Sequence, residues 1–472
     1  MQTSKWMSAR PLLLSLAVLT LAGCAGLSDD GGTGPVRQLT QSRLGTTATP
    51  PRTEADRQAS QARVAELLQR PLTPDSAVEI ALLNNRQLQA RYAALGVVEA
   101  DRVRAGRLAN PTFSFGQRRG DGETEIDRSL MFNVLGLLTV PLNEQAAART
   151  LERGQLQLAA DTVDAAHEAR RAYIDAVAAQ QLWAYAQQVQ DAADAAAELA
   201  QRMLAAGHFN KLDQMREQAF AADARLQVTR AQHEVTASRE RLIRVLALEA
   251  AQTTFQLPAR LPDLPAHEAP AQQAEQQALD QRLDVQMAKR AAEATAADLG
   301  LTRRTRLINV LHAGYQNAST TGASLSQGYE VELALPLFDF GEARVARAEA
   351  LYMQSVHQAA QVAIQAQSEV REAHSAYRAA YAQARHYQDE VVPLRQRISD
   401  EMLLRYNGMF NSVFELLADA REQVRSVTGA VQALRQFWLA ESQLQTAVYG
   451  RGGSLTGLGE TSTTATPSTA TH

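Results

Sequence analysis

At 472 residues the chain is 45% hydrophobic but only 5% aromatic, and alanine makes up much of the apolar content, which suits long, closely packed helices better than one thick globular core. A net charge of −4 gives no general attraction to nucleic acid, whose binders are strongly basic, so no nucleic-acid partner is expected. One cysteine in the whole chain excludes a disulfide framework and a cluster of cysteine metal ligands.

The chain opens with Lys5 and Arg10 ahead of a short apolar stretch, Pro11 to Ala22, too brief to span a bilayer. It ends in Leu21-Ala22-Gly23-Cys24, which resembles the lipobox of bacterial lipoproteins. That resemblance implies a signal peptide over 1–23, cleavage before Cys24, and acylation of the new terminus. The competing reading is an ordinary signal peptide with a chance cysteine. Ala25, where inner-membrane lipoproteins usually carry Asp, resembles an outer-membrane sorting signal. Each buried methylene of an acyl chain contributes about 0.8 kcal/mol of membrane affinity. Residues 24–65, rich in Gly, Thr, Ser and Pro, read as the acylated N-terminus and a tether.

A first repeat is predicted over 66–258. Thr73-Pro74-Asp75 starts a helix: Thr as N-cap, Pro at the first position, Asp on the positive end of the dipole. The helix runs to about Ala109, where Asn110-Pro111 ends it. Thr112-Phe113-Ser114-Phe115 alternates as a strand, 116–125 is a polar turn, and a second strand is expected from about Arg128 to Leu142. A proline-free helix follows from Asn143 to Ala206, interrupted at Gly207-His208-Phe209-Asn210. A further helix reaches about Ala250, and Pro258, Pro262 and Pro265 close the half.

The second repeat, 259–451, does the same things in the same order. A helix over about 272–306 leads to strands 307–317 and 328–337 around a polar turn at 318–327. A long helix from Gly341 to about Tyr406 carries an expected kink at Pro393. The interruption here is Gly408-Met409-Phe410-Asn411, and a last helix ends near Tyr449. Gly207-x-Phe209-Asn210 and Gly408-x-Phe410-Asn411 lie 201 residues apart, and gene duplication is the simplest account. Residues 452–472 are a Ser/Thr-rich tail of the kind that stays disordered.

In the last strand Tyr329, Val331, Leu333 and Leu335 fall on one face, with Glu330, Glu332 and Ala334 on the other. A transmembrane β-strand has this pattern, and so does a half-buried strand of a soluble sheet. The other three strands alternate less cleanly. Four strands cannot close a barrel, and a membrane tolerates no open sheet edge. In a membrane, therefore, several copies would have to share one barrel, and three would supply twelve strands. The 64-residue helix from Asn143 to Ala206 would be about 95 Å long at about 1.5 Å per residue. Such a length fits either a tunnel crossing a periplasm or a coiled-coil spacer with no lumen.

Three segments then carry a resemblance to the TolC-like outer-membrane efflux factor family. They are Leu72-Thr73-Pro74-Asp75-Ser76-Ala77-Val78-Glu79-Ile80-Ala81, Pro336-Leu337-Phe338-Asp339-Phe340-Gly341, and Arg405-Tyr406-Asn407-Gly408 through Phe414-Glu415-Leu416-Leu417. The resemblance implies a mixed α and β membrane protein, built as a homotrimer. Its twelve-stranded barrel would be continued by a long α-helical periplasmic barrel, with a periplasmic adaptor and an inner-membrane pump as partners. It implies that Gly207, Phe209, Asn210, Gly408, Phe410 and Asn411 mark periplasmic tips that dock the adaptor, against the plainer reading of simple helix hairpins. The two glycines would supply the reversal and the two asparagines the caps of the returning helices. Asp213, Glu415 and Asp419 are candidates for a negative ring at the closed aperture, each with a solvated helix face as the alternative. The stretch Glu415-Leu-Leu-Ala-Asp419 has one residue more before Asp419 than the commoner family pattern.

Other chemistry finds little support. His208 and Met409 are copper-type ligands, but each is solitary. His167-Glu168 lacks the second histidine of a zinc-protease helix, and no phosphate loop or Gly-x-Ser-x-Gly elbow is present. No enzyme activity, metal, or cofactor beyond the lipid on Cys24 is expected. The reading is a passive export channel whose cargo is driven by its partners; the alternative is a non-porous structural lipoprotein of the periplasm.

Overall fold

The structure is a computed structural model, described over residues 26–46, 51–120, 122–268, 274–307, 310–334 and 337–451. Cys24, the signal segment 1–23, Pro336 and the tail 452–472 lie outside the described residues.

Helices α1 (Gly34–Leu44) and α2 (Glu54–Leu68) come first, followed by α3 (Pro74–Asn84) and α4 (Arg86–Ala105). The segment read as a tether is thus largely helical. Val36 and Val64 are fully buried against the body, and Thr53 caps α2 through a capping box with Asp56. Composition suggested a linker because it does not report which apolar residues have a surface to pack on. Thr73 caps α3 as the sequence predicts, its hydroxyl accepting from Ser76 N–H at 3.1 Å. The single helix expected to Ala109 is broken at Asn85, which ends α3 in an extended conformation and caps α4 by accepting from Leu88 N–H at 3.0 Å.

Strands β1 (Thr112–Gly120) and β2 (Glu123–Asn133) are followed by α5 (Val134–Ala205), a helix of 72 residues and thus about 110 Å long. Residues 134–142, expected as strand, belong to α5. Asn133 caps it, its Oδ1 accepting from Gly136 N–H at 2.6 Å, and an apolar run without alternation suits a helix as well as a strand. Helix α6 (Lys211–Leu246) returns along α5, with Ala193, Ala221 and Ala224 buried at the contact.

The order then recurs: α7 (Ala274–Gln281), α8 (Leu283–Thr305), β3 (Leu311–Thr320), β4 (Ser326–Leu333), α9 (Glu342–His386), α10 (Val392–Asn407) and α11 (Val413–Tyr449). The kink expected at Pro393 is a π-turn over Tyr387–Val391, in which Val392 N–H reaches Tyr387 C=O. Pro393 has no N–H and its ring would strike the carbonyl four residues back, so one turn widens. There α11 comes close: a Cβ on Gly429 would lie 2.7 Å from Tyr387 Oη.

The four strands form one antiparallel sheet in the order β1-β2-β3-β4, and the β2–β3 pairing joins the two halves of the chain. The largest buried cluster sits away from the sheet, where α1 to α4 and the middle of α5 meet the end of α6. It includes Tyr173, whose hydroxyl donates to Leu72 C=O at 3.1 Å. No described helix is long and apolar enough to cross a membrane.

His167 on α5 is buried, and that burial, reinforced by Arg170 and Arg171, pushes its pKa down to about 4. A folded-state pKa below the unfolded value means the unfolded chain binds the proton more readily. Stability is then full above about pH 6.5 and is lost as pH falls toward 4, with about 3 kcal/mol at stake. Helical circular dichroism followed during denaturation at pH 7 and pH 4 should show this loss, and His167→Gln should reduce it.

Candidate functional site

Two regions concentrate the candidate residues: the helix reversals and the faces of the sheet. At the first tip α5 ends in a left-handed Gly207 (φ +77°), with His208 N–H reaching back to Met203 C=O at 2.9 Å. Asn210 caps α6, its Oδ1 accepting from Asp213 N–H at 2.9 Å. Phe209 is only 7% exposed and stacks on Phe414 with ring centroids 4.4 Å apart, between Ala200 and Val413.

The second tip uses the same geometry one residue later. Gly408 has φ −79°, and the left-handed position is Met409 at φ +62°, with Phe410 N–H bonded to Arg405 C=O at 2.9 Å. The cap of α11 is Ser412, not Asn411, and Glu415 completes a capping box by accepting from Ser412 N–H at 2.9 Å. Asn411 instead donates to Met402 Sδ at 3.0 Å. The structural match is therefore Gly207 with Met409 and Asn210 with Ser412, shifted by one from the apparent Gly-x-Phe-Asn repeat. For that reason Phe410 is 85% exposed where Phe209 is buried. Ser412-x-x-Glu415 is a capping-box pattern that is itself legible in the sequence.

The candidate acids differ in their surroundings. Asp213 is buried, held by the Asn210 amide and by Arg216 at 3.0 Å. Glu415 is exposed apart from its capping role. Asp419 is buried and accepts from Ser399 Oγ on α10. Glu217, which was not singled out from the sequence, lies as far from Asn210 as Asp419 does from Ser412. It is buried and paired with Arg421, whose guanidinium also covers the Phe220 ring at 4.8 Å. This pair joins the first hairpin to α11. Below the π-turn α10 buries no residue, and Arg395–Glu422 at 3.4 Å and Gln423–Gln396 at 3.0 Å are among its ties to α11. His208 and Met409 are both exposed, and no metal-ligand group of three or more His, Cys, Asp or Glu occurs among the described residues.

The sheet is sharply two-faced. Phe113, Leu130, Tyr315 and Tyr329 form one cross-strand row, Phe132, Ala313 and Val331 the next, and Leu311 with Leu333 a third. Tyr315 and Tyr329 touch edge to face at 6.0 Å, and Tyr329 is 88% exposed. The opposite face joins Ser114 to Ser129 at 2.7 Å, Arg118 to Asp127 at 3.1 Å, and His312 to Glu332 at 2.9 Å. Register brings out an alternation that β1 to β3 taken singly only hint at.

No protein-family model matches the sequence, and no curated protein aligns with it. Solved structures do match. A membrane protein from Pseudomonas aeruginosa superposes with a TM-score of 0.69 at 19% identity, over 79% of this chain and 93% of that one. The outer membrane protein VceC of Vibrio cholerae gives 0.65 at 14% identity, over 84% and 97%. The Campylobacter jejuni CmeC outer membrane channel gives 0.66 at 14%, over 81% and 87%. The chain has the fold of TolC-like outer-membrane channels, as its motifs suggested.

The unequal tips lead to a direct expectation. Phe209→Ala should lower the protection of tip amides against hydrogen exchange by about 3 kcal/mol, and Phe410→Ala by less than about 0.5. Met409→Gly should raise it by roughly 1 kcal/mol, since it relieves a left-handed non-glycine residue.

Proposed function

We propose that three copies of this chain close their sheets into one twelve-stranded barrel in the outer membrane, continued by a helical tunnel into the periplasm. The tunnel acts as a passive conduit for cargo moved by an inner-membrane pump through a periplasmic adaptor. The observation that carries this reading is the sheet: one face apolar over the three rows nearest the helices, a polar face, and two edges, β1 and β4, without partners among the described residues. In hydrocarbon each unpaired backbone group costs several kcal/mol, so such a sheet must close with others of its kind. A non-porous spacer has no use for a lipid-facing sheet. The 72-residue helix supplies the reach below it.

Acylation of Cys24 fits this placement. Ser28 N–H donates to Glu99 Oε1 at 2.9 Å, on the last turns of α4 just before the sheet. Four further residues reach at most about 14 Å from there to Cys24. The tips, with Leu212, Met215, Leu404, Met409 and Phe410 exposed, offer the adaptor an apolar surface. The aperture would lie here, held shut in part by Glu217 and Arg421, with Glu415 the acid best placed to face solvent.

Two measurements test the reading. Cys24→Ala should still require detergent for extraction, because the barrel stays in the membrane without its lipid, whereas a lipid-tethered spacer would become water-soluble. In planar bilayers the purified trimer should conduct weakly, and Arg421→Ala should raise the conductance several-fold by releasing the first hairpin from α11. A soluble Cys24→Ala protein, or no pore in either form, would refute it.

A further inference from the structure

The same four strands sort their charges by sign. Arg118 is ion-paired with Glu125 at 3.5 Å and Asp127 at 3.1 Å, which fixes these three on the polar face, together with Glu332 beside His312. Alternation along the strands adds Glu123 and Glu330 to that face. The residues that follow Arg118 and Asp127, namely Arg119 and Arg128, therefore belong to the apolar face. That face carries no carboxylate among the described strand residues, and both arginines are exposed. Neither is ion-paired among the described residues, in a chain whose other strand arginine has two carboxylates beside it.

Their height matters as much as their face. Arg128 stands opposite Phe115, one row beyond the Phe113-Leu130-Tyr315-Tyr329 row on the side of the hairpin turns, and Arg119 lies two rows further, opposite Thr124. Each row adds about 7 Å along the strand. With its carboxamide oxygen turned toward the guanidinium, Gln117 accepts from Arg119 Nε and Nη2 at 3.1 Å, which orients the fork. Asn317 and Gln327 continue the Arg128 row as neutral polar groups. From the helices outward the rows are thus aliphatic, then aromatic, then Phe115 with Arg128, Asn317 and Gln327, then Gln117 with Ile126 and Ser319, and last Arg119 with Thr124.

We propose that Arg119 and Arg128 form an outward cationic collar that binds the phosphate groups of outer-leaflet lipid. This rests on the barrel reading, which puts the hairpin turns outside the cell and the apolar face in lipid. A guanidinium matches phosphate with two parallel hydrogen bonds and is easily drawn from water, which suits Arg128 one row above the aromatic row and Arg119 about 14 Å further out along the strand. A carboxylate on this face would repel the same headgroups, and the carboxylates of the strands are on the other side. Six such arginines would ring one trimer.

The test uses the full-length acylated trimer in neutral detergent, with three additions: a bisphosphorylated glycolipid, the same lipid after phosphatase treatment, and inorganic phosphate. The readouts are lipid phosphorus retained through size-exclusion chromatography and the temperature at which the trimer separates on a gel. The bisphosphorylated lipid alone should be retained and should raise that temperature. Arg119→Gln/Arg128→Gln should lose both effects, while Arg118→Gln, altered on the inner face, keeps them. Equal protection by dephosphorylated lipid or by inorganic phosphate, or full retention in the double variant, would overturn the collar. A wild-type chain that stays soluble and monomeric without detergent would instead overturn the barrel reading, and the collar with it.

Discussion

Backbone hydrogen bonding at the edges of a four-stranded sheet constrains everything else about this molecule. Strands β1 and β4 present rows of amide and carbonyl groups that water can satisfy but hydrocarbon cannot. A chain that placed an apolar sheet face in lipid and left these edges open would not be stable there. In the barrel proposed above, association would satisfy them with what the chain already has, since β1 and β4 run antiparallel and a copy's β1 could pair with its neighbour's β4.

The helices answer a different physical problem. A helix of 72 residues cannot bury much of itself in one chain, and α5 does so mainly in its middle third, where Leu158, Val163, Ala166, Ala169, Tyr173 and Val177 meet the surrounding helices. Toward the tips the contacts are smaller clusters, one of alanines and one around the Phe209–Phe414 stack, together with polar ties. Buried Glu217 and half-buried Arg421 stand out there as a pair linking the first hairpin to α11. Removing either partner would leave the other charge uncompensated, so the pair couples the first hairpin to α11.

The two halves that the sequence presents as repeats differ at the ends of the molecule. Both tips use a left-handed residue followed three positions later by a cap, yet one employs glycine and asparagine and the other methionine and serine. The result is one tip with its aromatic residue buried and another with its aromatic residue held out in solvent. An adaptor meeting this end of a trimer would find two alternating surfaces in place of six equal ones.

Much was legible in the sequence alone, and for local reasons. The Thr73 cap, the widened turn ahead of Pro393, the reversal at Gly207 and the cap at Asn210 depend on residues within one or two turns, so short patterns identify them. The twofold order of helices and strands follows from periodicity and punctuation. Other features depend on residues far apart in the chain. Whether residues 134–142 are strand or helix turned on the Asn133 cap and on neighbours that an all-apolar run does not name. The two-faced sheet needed the register that sets Phe113 beside Leu130 and Tyr315 beside Tyr329. The pairing of Glu217 with Arg421, 204 residues apart, has no local signature. Local chemistry set the elements and their order; only the packing of distant segments decided which faces they share and which charges they bury.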